Sequence, residues 1–136
     1  AITGNLDARI IILSLMLLSY IAGFDILYAC QDADFDRAAG LFSIPARFGL
    51  KRALDISSGL HVISAALFTS LFWLFDLHML FLFGAAIIAG LFVLEHRLIN
   101  PQDLSRIDLA FFNVNSVVSV MVLVSILAGE LGARYL

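Results

Sequence analysis

The sequence predicts an all-α fold, a polytopic bundle of transmembrane helices. Hydrophobic residues make up 62% of its 136 residues and charged residues 14%, and the mean hydropathy is +1.01. A soluble domain of this size is far less apolar. The apolar residues form four long runs, and runs of about 20 residues cross a bilayer as helices. We therefore expect residues 1–136 to form one membrane-embedded helical region.

The four runs predict spans at about residues 8–31, 55–75, 79–95 and 109–128. At about 1.5 Å per residue, the first is long enough to cross a hydrocarbon core of roughly 30 Å. Trp73, near the end of the second, is an expected interfacial anchor. Because the connections are short, the spans are expected to pack as antiparallel neighbours.

The placement of positive charge predicts the orientation in the membrane. Six of the eight Lys and Arg residues lie in the polar segments 31–52 and 95–106, which fall on the same side of a four-span bundle. The positive-inside rule then turns both segments toward the cytoplasm and both termini away from it. We expect an integral protein of a bacterial inner (plasma) membrane, with the 31–52 loop facing the cytoplasm.

Several other function classes are disfavoured by the composition. No basic tract indicates a nucleic-acid partner, and the single cysteine, Cys30, excludes an internal disulfide and is read as a packing residue. The first nine residues have neither an initiator Met nor the order of a signal peptide, so the chain is expected to begin in mid-protein.

A stripe of carboxylates lies at the end of the first span. At about 100° per residue, Asp25, Asp32 and Asp36 fall within roughly 40° on a helical wheel. Tyr28 lies near the same face, whereas Asp34 points to the opposite side. Carboxylates this close raise one another's pKa unless a cation lies among them. An Asp-x-x-x-Asp pair at i, i+4 suits Mg²⁺, which binds one or two protein carboxylates together with phosphate oxygens and water.

The alternative interpretation is a solvated acidic cap on a membrane helix. Asp25 argues against a simple cap because it lies inside the apolar register, where an ionisable group is costly and usually faces a polar cavity. Helix-breaking Gly and Pro residues follow the stripe. The same segment also holds cations suited to an anion: Arg37, Arg47, Lys51 and Arg52.

The remaining polar residues of the spans have less specific patterns. His61 and His96 have no second His or Cys at a metal spacing, so we expect hydrogen bonds or a helix-end position for them. Asn113 and Asn115 need partners inside hydrocarbon, and they either bridge helices or line a polar cavity. Small residues such as Gly84 are expected to allow close helix packing.

The acidic stripe and the loop after it resemble a known motif. Phe24-Asp25, Tyr28-Ala29 and Asp32-x-x-x-Asp36, followed by Gly40 and 43–49, resemble the second aspartate-rich motif of the UbiA-type membrane prenyltransferase superfamily. The closest pattern looks like its 4-hydroxybenzoate polyprenyltransferase branch, including related enzymes of menaquinone routes. The stretch 111–116 is similar to the asparagine-bearing start of the last helix in that branch, so the resemblance covers essentially the whole chain.

The resemblance implies a specific architecture. Members of the family have about nine transmembrane helices, with two aspartate-rich motifs facing each other across a central cavity. This chain has four predicted spans and one motif, and no stretch matches the family's first motif. The resemblance therefore implies the C-terminal half of such an enzyme, either a fragment or one piece of a split protein whose other half has the first motif.

The resemblance also implies a reaction, the transfer of a polyprenyl group from polyprenyl diphosphate to a 4-hydroxybenzoate-like aromatic acceptor in ubiquinone or menaquinone biosynthesis. Asp32 and Asp36 would bind Mg²⁺, which neutralises the diphosphate as the allylic C–O bond ionises. Asp25 and Tyr28 would complete the catalytic set by lining the cavity. Substrate contacts are expected from five further residues: Arg37, Arg47, Lys51, Asn113 and Asn115.

Two other functions remain alternatives. Phosphatidyl-alcohol transferases also use membrane carboxylates and a metal, but this chain lacks their Asp-Gly-x-x-Ala-Arg lead. A non-catalytic four-helix membrane scaffold or assembly subunit, whose acids only cap a helix, is the non-enzymatic alternative.

Overall fold

The computed structural model describes residues 7–99 and 101–136, and all regular elements in these ranges are helices. The expectation that the chain begins in mid-protein concerns residues 1–6, which lie outside the described part. Four helical stretches are long and apolar enough to cross a membrane: Ala8–Ala39, Leu50–Leu74, Leu80–Leu98 and Leu109–Tyr135. The expected all-α polytopic bundle is confirmed.

The first span consists of α1 (Ala8–Ala29), one turn of 3₁₀ helix (Cys30–Asp32) and α2 (Ala33–Ala39). A short helix, α3 (Ile44–Phe48), connects it to α4 (Leu50–Leu74). The remaining elements are α5 (Leu80–Leu98), a π-helical turn (Leu109–Val114) and α6 (Asn115–Tyr135).

The N-terminal end of α1 is held by a local cap. Asp7 Oδ1 accepts a hydrogen bond from the backbone N–H of Arg9 at 2.9 Å, and the Arg9 guanidinium donates to the same carboxylate. The Arg9 side chain, followed by its backbone N–H, lowers the pKa of Asp7 below its ordinary value. The charge therefore stays on the carboxylate that caps the helix.

The polar segment 31–52, predicted as a loop, is mostly helical. Helix α2 ends at Gly40, whose φ of +69° is the left-handed conformation typical of a helix end. The Ser43 hydroxyl then caps α3 by accepting a backbone N–H. Gly49, with φ of +86°, lets the chain turn directly into α4, which begins at Leu50, earlier than predicted. Only short turns therefore separate the helices of this segment.

Helices α1 and α4 pack very closely at Gly23. A Cβ atom at this position would lie 2.3 Å from Cδ2 of His61, a distance that no real side chain tolerates. Two buried hydroxyls of α4 also donate to carbonyl oxygens of α1, Ser57 to Gly23 at 2.7 Å and Ser64 to Met16 at 3.2 Å. Such interhelical hydrogen bonds are a usual means of joining helices in lipid.

Helices α5 and α6 also approach each other through small residues. A Cβ atom at Gly84 would lie 1.8 Å from the Ser125 hydroxyl oxygen, and one at Gly129 would lie 2.9 Å from Cβ of Phe81. The backbone N–H of His78 donates to the carbonyl of Gly129 at 3.0 Å. These contacts agree with the predicted packing role of the small residues.

Aromatic rings are prominent in the core between the spans, and large apolar side chains also cover the outer faces. Phe24, Phe68, Phe81 and Phe92 are buried in one hydrophobic cluster. Cys30 is buried in a second one, in agreement with its predicted packing role. Large apolar side chains such as Leu18, Val62, Phe83 and Val120 are exposed around the bundle. Surface of this kind is expected for helices that face hydrocarbon rather than water.

Candidate functional site

The predicted acidic stripe lies on three consecutive helical segments. Asp25 is in α1, Asp32 ends the 3₁₀ turn and Asp36 is in α2. Asp25 and Asp32 are exposed and Asp36 is half-buried. Within residues 7–99 and 101–136, no hydrogen bond or ion pair forms at any of these three carboxylates. All three therefore remain available as oxygen ligands.

Asp34 behaves differently from its neighbours in the motif. Its Oδ1 lies 2.9 Å from Nη1 of Arg37, and its side chain is 98% exposed. An exposed ion pair at i, i+3 contributes only about 0.2–1 kcal/mol. Because this partner is weak, Arg37 can exchange it for another anion.

The acidic motif contacts the start of the last span. The ring of Tyr28 lies 4.4 Å from that of Phe111 and 6.2 Å from that of Phe112, measured between centroids. One turn further along, Gln31 Nε2 donates to Asp108 Oδ1 at 3.1 Å. The two stretches that resemble known motifs, far apart in sequence, are thus neighbours in the structure.

Asn113 and Asn115 have different environments. The side-chain oxygen of Asn115 accepts a short hydrogen bond from the Tyr20 hydroxyl, which also lies 3.1 Å from the Ser119 hydroxyl. Asn115 therefore bridges α6 to α1. Asn113 is exposed within the π-helical turn, and single π-turns are frequent at functional sites. Its role in substrate binding, like that of Asn115, remains a prediction.

The two asparagines are expected to respond differently to substitution. Asn115→Ala removes the acceptor for Tyr20, and we expect it to lower the free energy of unfolding by about 0.5–1.5 kcal/mol. Asn113→Ala breaks no hydrogen bond between described residues and should leave the melting temperature unchanged. Thermal unfolding of both variants in detergent checks this, and equal melting temperatures would contradict the bridging role of Asn115.

The predicted cations are divided between two cavities. Arg37 and Arg47 line one cavity of about 590 Å³, where the Arg47 guanidinium carbon lies 5.8 Å from the centroid of the Phe42 ring. Lys51 lines another cavity, of about 420 Å³, and its Nζ is 2.9 Å from Asp55 Oδ2. The structure brings the two arginines together at the end of the acidic segment and leaves Lys51 apart.

An apolar cavity of about 190 Å³ lies among the four spans. Tyr20 and Phe92 form part of its wall, and the same Tyr20 bonds to Asn115. Phe92 is in contact distance of Phe24, with ring centroids 6.3 Å apart. The cavity therefore extends behind the helix that bears the acidic motif, and its lining suits a hydrocarbon chain.

The structure brings together one polar cluster that the sequence did not predict: His61 and His96, expected to form hydrogen bonds or to lie at helix ends, meet each other beside Glu95. Nδ1 of His61 lies 3.1 Å from Nε2 of His96 and 3.1 Å from Oε2 of Glu95. Their sequence positions show no metal-ligand spacing because His61 lies in α4, whereas Glu95 and His96 lie in α5. The available signal was the Glu95-His96 pair at the end of an apolar run.

Comparison with known proteins establishes the family. The model of the UbiA prenyltransferase family matches residues 1–117. The chain belongs to the UbiA prenyltransferase family. An apo structure of a UbiA homolog from Aeropyrum pernix K1 is similar, with a TM-score of 0.73 and 31% sequence identity. The resemblance inferred from the motifs is confirmed at the level of the family.

This UbiA-family chain spans less than half of that relative. The match covers 85% of this chain and 41% of the homolog from Aeropyrum pernix. No curated protein matches the sequence. Family membership, together with four helices able to cross a membrane, makes the chain part of an integral membrane protein.

Proposed function

We propose that this chain forms the second aspartate-rich half of a Mg²⁺-dependent aromatic prenyltransferase. The reaction is transfer of a polyprenyl group from polyprenyl diphosphate to a 4-hydroxybenzoate-like acceptor, in ubiquinone or menaquinone biosynthesis. The observation that supports it most is the set of three carboxylates at Asp25, Asp32 and Asp36. They lie in the second half of the first helical stretch of a UbiA-family chain, Ala8–Ala39, and have no bonding partner among the described residues.

The residues fit a hard divalent cation. Asp32 and Asp36 offer carboxylate oxygens, the ligand type that Mg²⁺ prefers, and neither is engaged with a described cation. Bound there, the ion would neutralise the charge that grows on the departing diphosphate. Asp25 lies seven residues before Asp32, about two helical turns, and adds negative potential beside the proposed site. Tyr28, held by Phe111, presents a hydroxyl beside the motif.

The arginines are suited to the diphosphate. Arg37 and Arg47 line the same cavity, and guanidinium groups bind phosphate oxygens through paired N–H donors. Arg37 is engaged only by the exposed Asp34, which a doubly charged phosphate group can displace. Lys51 provides positive potential from the neighbouring cavity as a more distant contribution.

The apolar parts of the bundle are suited to the polyprenyl tail. The cavity among the four spans is lined mainly by apolar side chains, with the hydroxyl groups of Tyr20, Ser64 and Ser119 among them. The exposed aliphatic faces of the helices adjoin lipid, so a long tail extending beyond the cavity remains in an apolar medium. Exposed Asn113 follows Phe112, whose ring lies 6.2 Å from that of Tyr28, and is assigned to the polar end of the substrates.

The complete enzyme requires a second half. We assign the family's first aspartate-rich motif, and most contacts with the acceptor, to a partner segment facing this motif. The distribution of Lys and Arg orients the acidic segment toward the cytoplasm of a bacterial inner membrane. Diphosphate substrates made in the cytoplasm then reach the site directly.

A ligand-stability experiment separates this proposal from a membrane scaffold. A non-hydrolysable polyprenyl thiodiphosphate together with Mg²⁺ should raise the melting temperature of the protein in its native assembly. A ligand at 100 times its Kd adds about 2.7 kcal/mol to the free energy of unfolding. Mg²⁺ alone, and the analogue with EDTA, are the controls and should give much smaller shifts. A scaffold whose acids only cap a helix predicts an unchanged melting temperature in all three conditions.

A further inference from the structure

Three metal-ligating side chains meet between α4 and α5, away from the acidic motif. His61, Glu95 and His96 each offer one ligand atom, and these atoms lie within 4.8 Å of one another. His61 is 1% exposed, Glu95 is fully buried and His96 is half-buried. Ionisable groups buried in a membrane helix bundle are costly and usually functional.

Hydrogen bonding does not satisfy this cluster. Nδ1 of His61 lies at 3.1 Å from both His96 and Glu95, yet a single ring nitrogen shares one proton with only one of them. Both Glu95 oxygens lack a hydrogen-bond partner among the described residues. A buried carboxylate without a partner is strongly destabilising. A cation bound by all three groups at once would provide the partner that the Glu95 carboxylate lacks.

The spacing is compatible with ligands around one small metal ion, because the three ligand atoms lie within 4.8 Å of one another. Bonds of about 2.0–2.1 Å at roughly tetrahedral angles place neighbouring ligand atoms about 3.3 Å apart. The two contacts of His61 Nδ1 measure 3.1 Å. Its other nitrogen, Nε2, lies against α1, where a Cβ at Gly23 would approach to 2.4 Å. Nδ1 is therefore the atom through which His61 coordinates.

The cluster is reachable from the polar end of the bundle. His61 and His96 line a cavity of about 440 Å³, together with Ser58 and Arg97. His96 and Ser58 also line the adjoining cavity of about 420 Å³, which extends to the exposed pair Lys51 and Asp55. Asp55, Ser58 and His96 therefore mark a route for an ion from the surface to the buried ligands, between apolar side chains such as Val62 and Leu54.

We propose that His61, Glu95 and His96 form a binding site for a divalent transition-metal ion of the Zn²⁺ class. Two imidazoles and one carboxylate suit Zn²⁺ and not Mg²⁺, which prefers oxygen ligands alone. Water occupies the fourth position on the cavity side. The ion ties α4 to the end of α5 behind Gly23, in the part of the bundle that supports the acidic helix. This site is independent of the proposed prenyl transfer.

Zinc binding tests the site directly. The protein is purified from membranes in its native assembly with a histidine-free tag, stripped with EDTA and titrated with Zn²⁺, and bound metal is measured by mass spectrometry. Glu95→Gln and His96→Gln each remove one ligand at nearly constant volume. The control is His78→Gln, because His78 is the third histidine of the chain and lies in the turn before α5, outside the cluster. Asp32→Asn is a second control, which shows whether the acidic motif contributes to the zinc binding measured.

We expect one Zn²⁺ per chain in the wild type and in both controls. In Glu95→Gln and His96→Gln the affinity for Zn²⁺ should fall by more than roughly 10–100-fold, which is the effect of losing a residue that only hydrogen-bonds to a metal ligand. The proposal would be overturned if the wild-type protein did not bind Zn²⁺ tightly, or if Glu95→Gln or His96→Gln folded and still bound it tightly. If the variants fail to fold, X-ray absorption of the zinc-loaded wild type decides the question. Imidazole nitrogens at about 2.0–2.1 Å from the zinc support the site, and a zinc coordination shell without imidazole rejects it.

Discussion

Asp32→Asn and Asp36→Asn are each expected to abolish prenyl transfer while leaving the protein folded. The amide keeps the size of the side chain but removes the negative charge that a hard cation requires. Loss of such electrostatic stabilisation lowers kcat by about 100- to 1,000-fold or more. Neither carboxylate bonds to another described side chain, so the melting temperature should not change. Turnover is measured in membranes that contain the complete assembly, over a range of Mg²⁺ concentrations.

Asp34→Asn is the matched control for these two variants. It makes the same chemical change in the same segment, but Asp34 is 98% exposed and pairs only with Arg37. We expect turnover within a few-fold of the wild type, since an exposed ion pair contributes about 0.2–1 kcal/mol. Unchanged turnover in Asp32→Asn and Asp36→Asn would refute the metal-binding assignment. An equal loss in all three variants would indicate a general effect of negative charge.

The second large effect is expected at the α5–α6 contact. In Gly84→Ala the new Cβ would lie 1.8 Å from the Ser125 hydroxyl oxygen, 2.6 Å from its Cβ and 3.2 Å from its Cα. Rotation of the serine side chain cannot relieve contacts with its Cβ and backbone, so the two helices must separate. Overpacking of this kind costs about 1–3 kcal/mol. Thermal unfolding in detergent measures the loss.

Gly90→Ala is the matched control in the same helix. A Cβ at Gly90 meets no atom within 4 Å, so the substitution adds no clash. Alanine loses less conformational entropy than glycine in a helix interior, and a gain of about 0.5–1 kcal/mol is expected. Adding Ser125→Gly to Gly84→Ala should recover part of the lost stability. Similar melting temperatures for Gly84→Ala and Gly90→Ala would contradict the close packing seen here.

The sequence was most informative where the signal is local. Hydropathy located four spans because each is a continuous apolar run, whatever its tertiary neighbours. The i, i+4 spacing of Asp32 and Asp36 is likewise a local pattern, which spans the end of the 3₁₀ turn and the start of α2. The segment 31–52 was assigned as a loop because it is polar, but a polar segment beyond the hydrocarbon can remain helical when caps such as Ser43 are present.

Contacts between distant residues could not be predicted. His61 and His96 are 35 residues apart, and only the packing of α4 against α5 brings them together. The separation of Lys51 from the two arginines depends on where α4 begins, which follows from the left-handed conformation of Gly49. The Tyr20–Asn115 bond likewise requires the tertiary arrangement of α1 and α6.

We propose above all that Asp32 and Asp36 bind a divalent ion together with the diphosphate of a polyprenyl donor. Mn²⁺ in place of Mg²⁺, with a polyprenyl thiodiphosphate, makes this contact observable by electron paramagnetic resonance. We predict bound Mn²⁺ with hyperfine coupling to the ³¹P nuclei of the analogue and none to imidazole nitrogen. The signal should be lost in Asp36→Asn and kept in Asp34→Asn. Bound Mn²⁺ without phosphorus coupling, or a signal that survives in Asp36→Asn, would contradict the account.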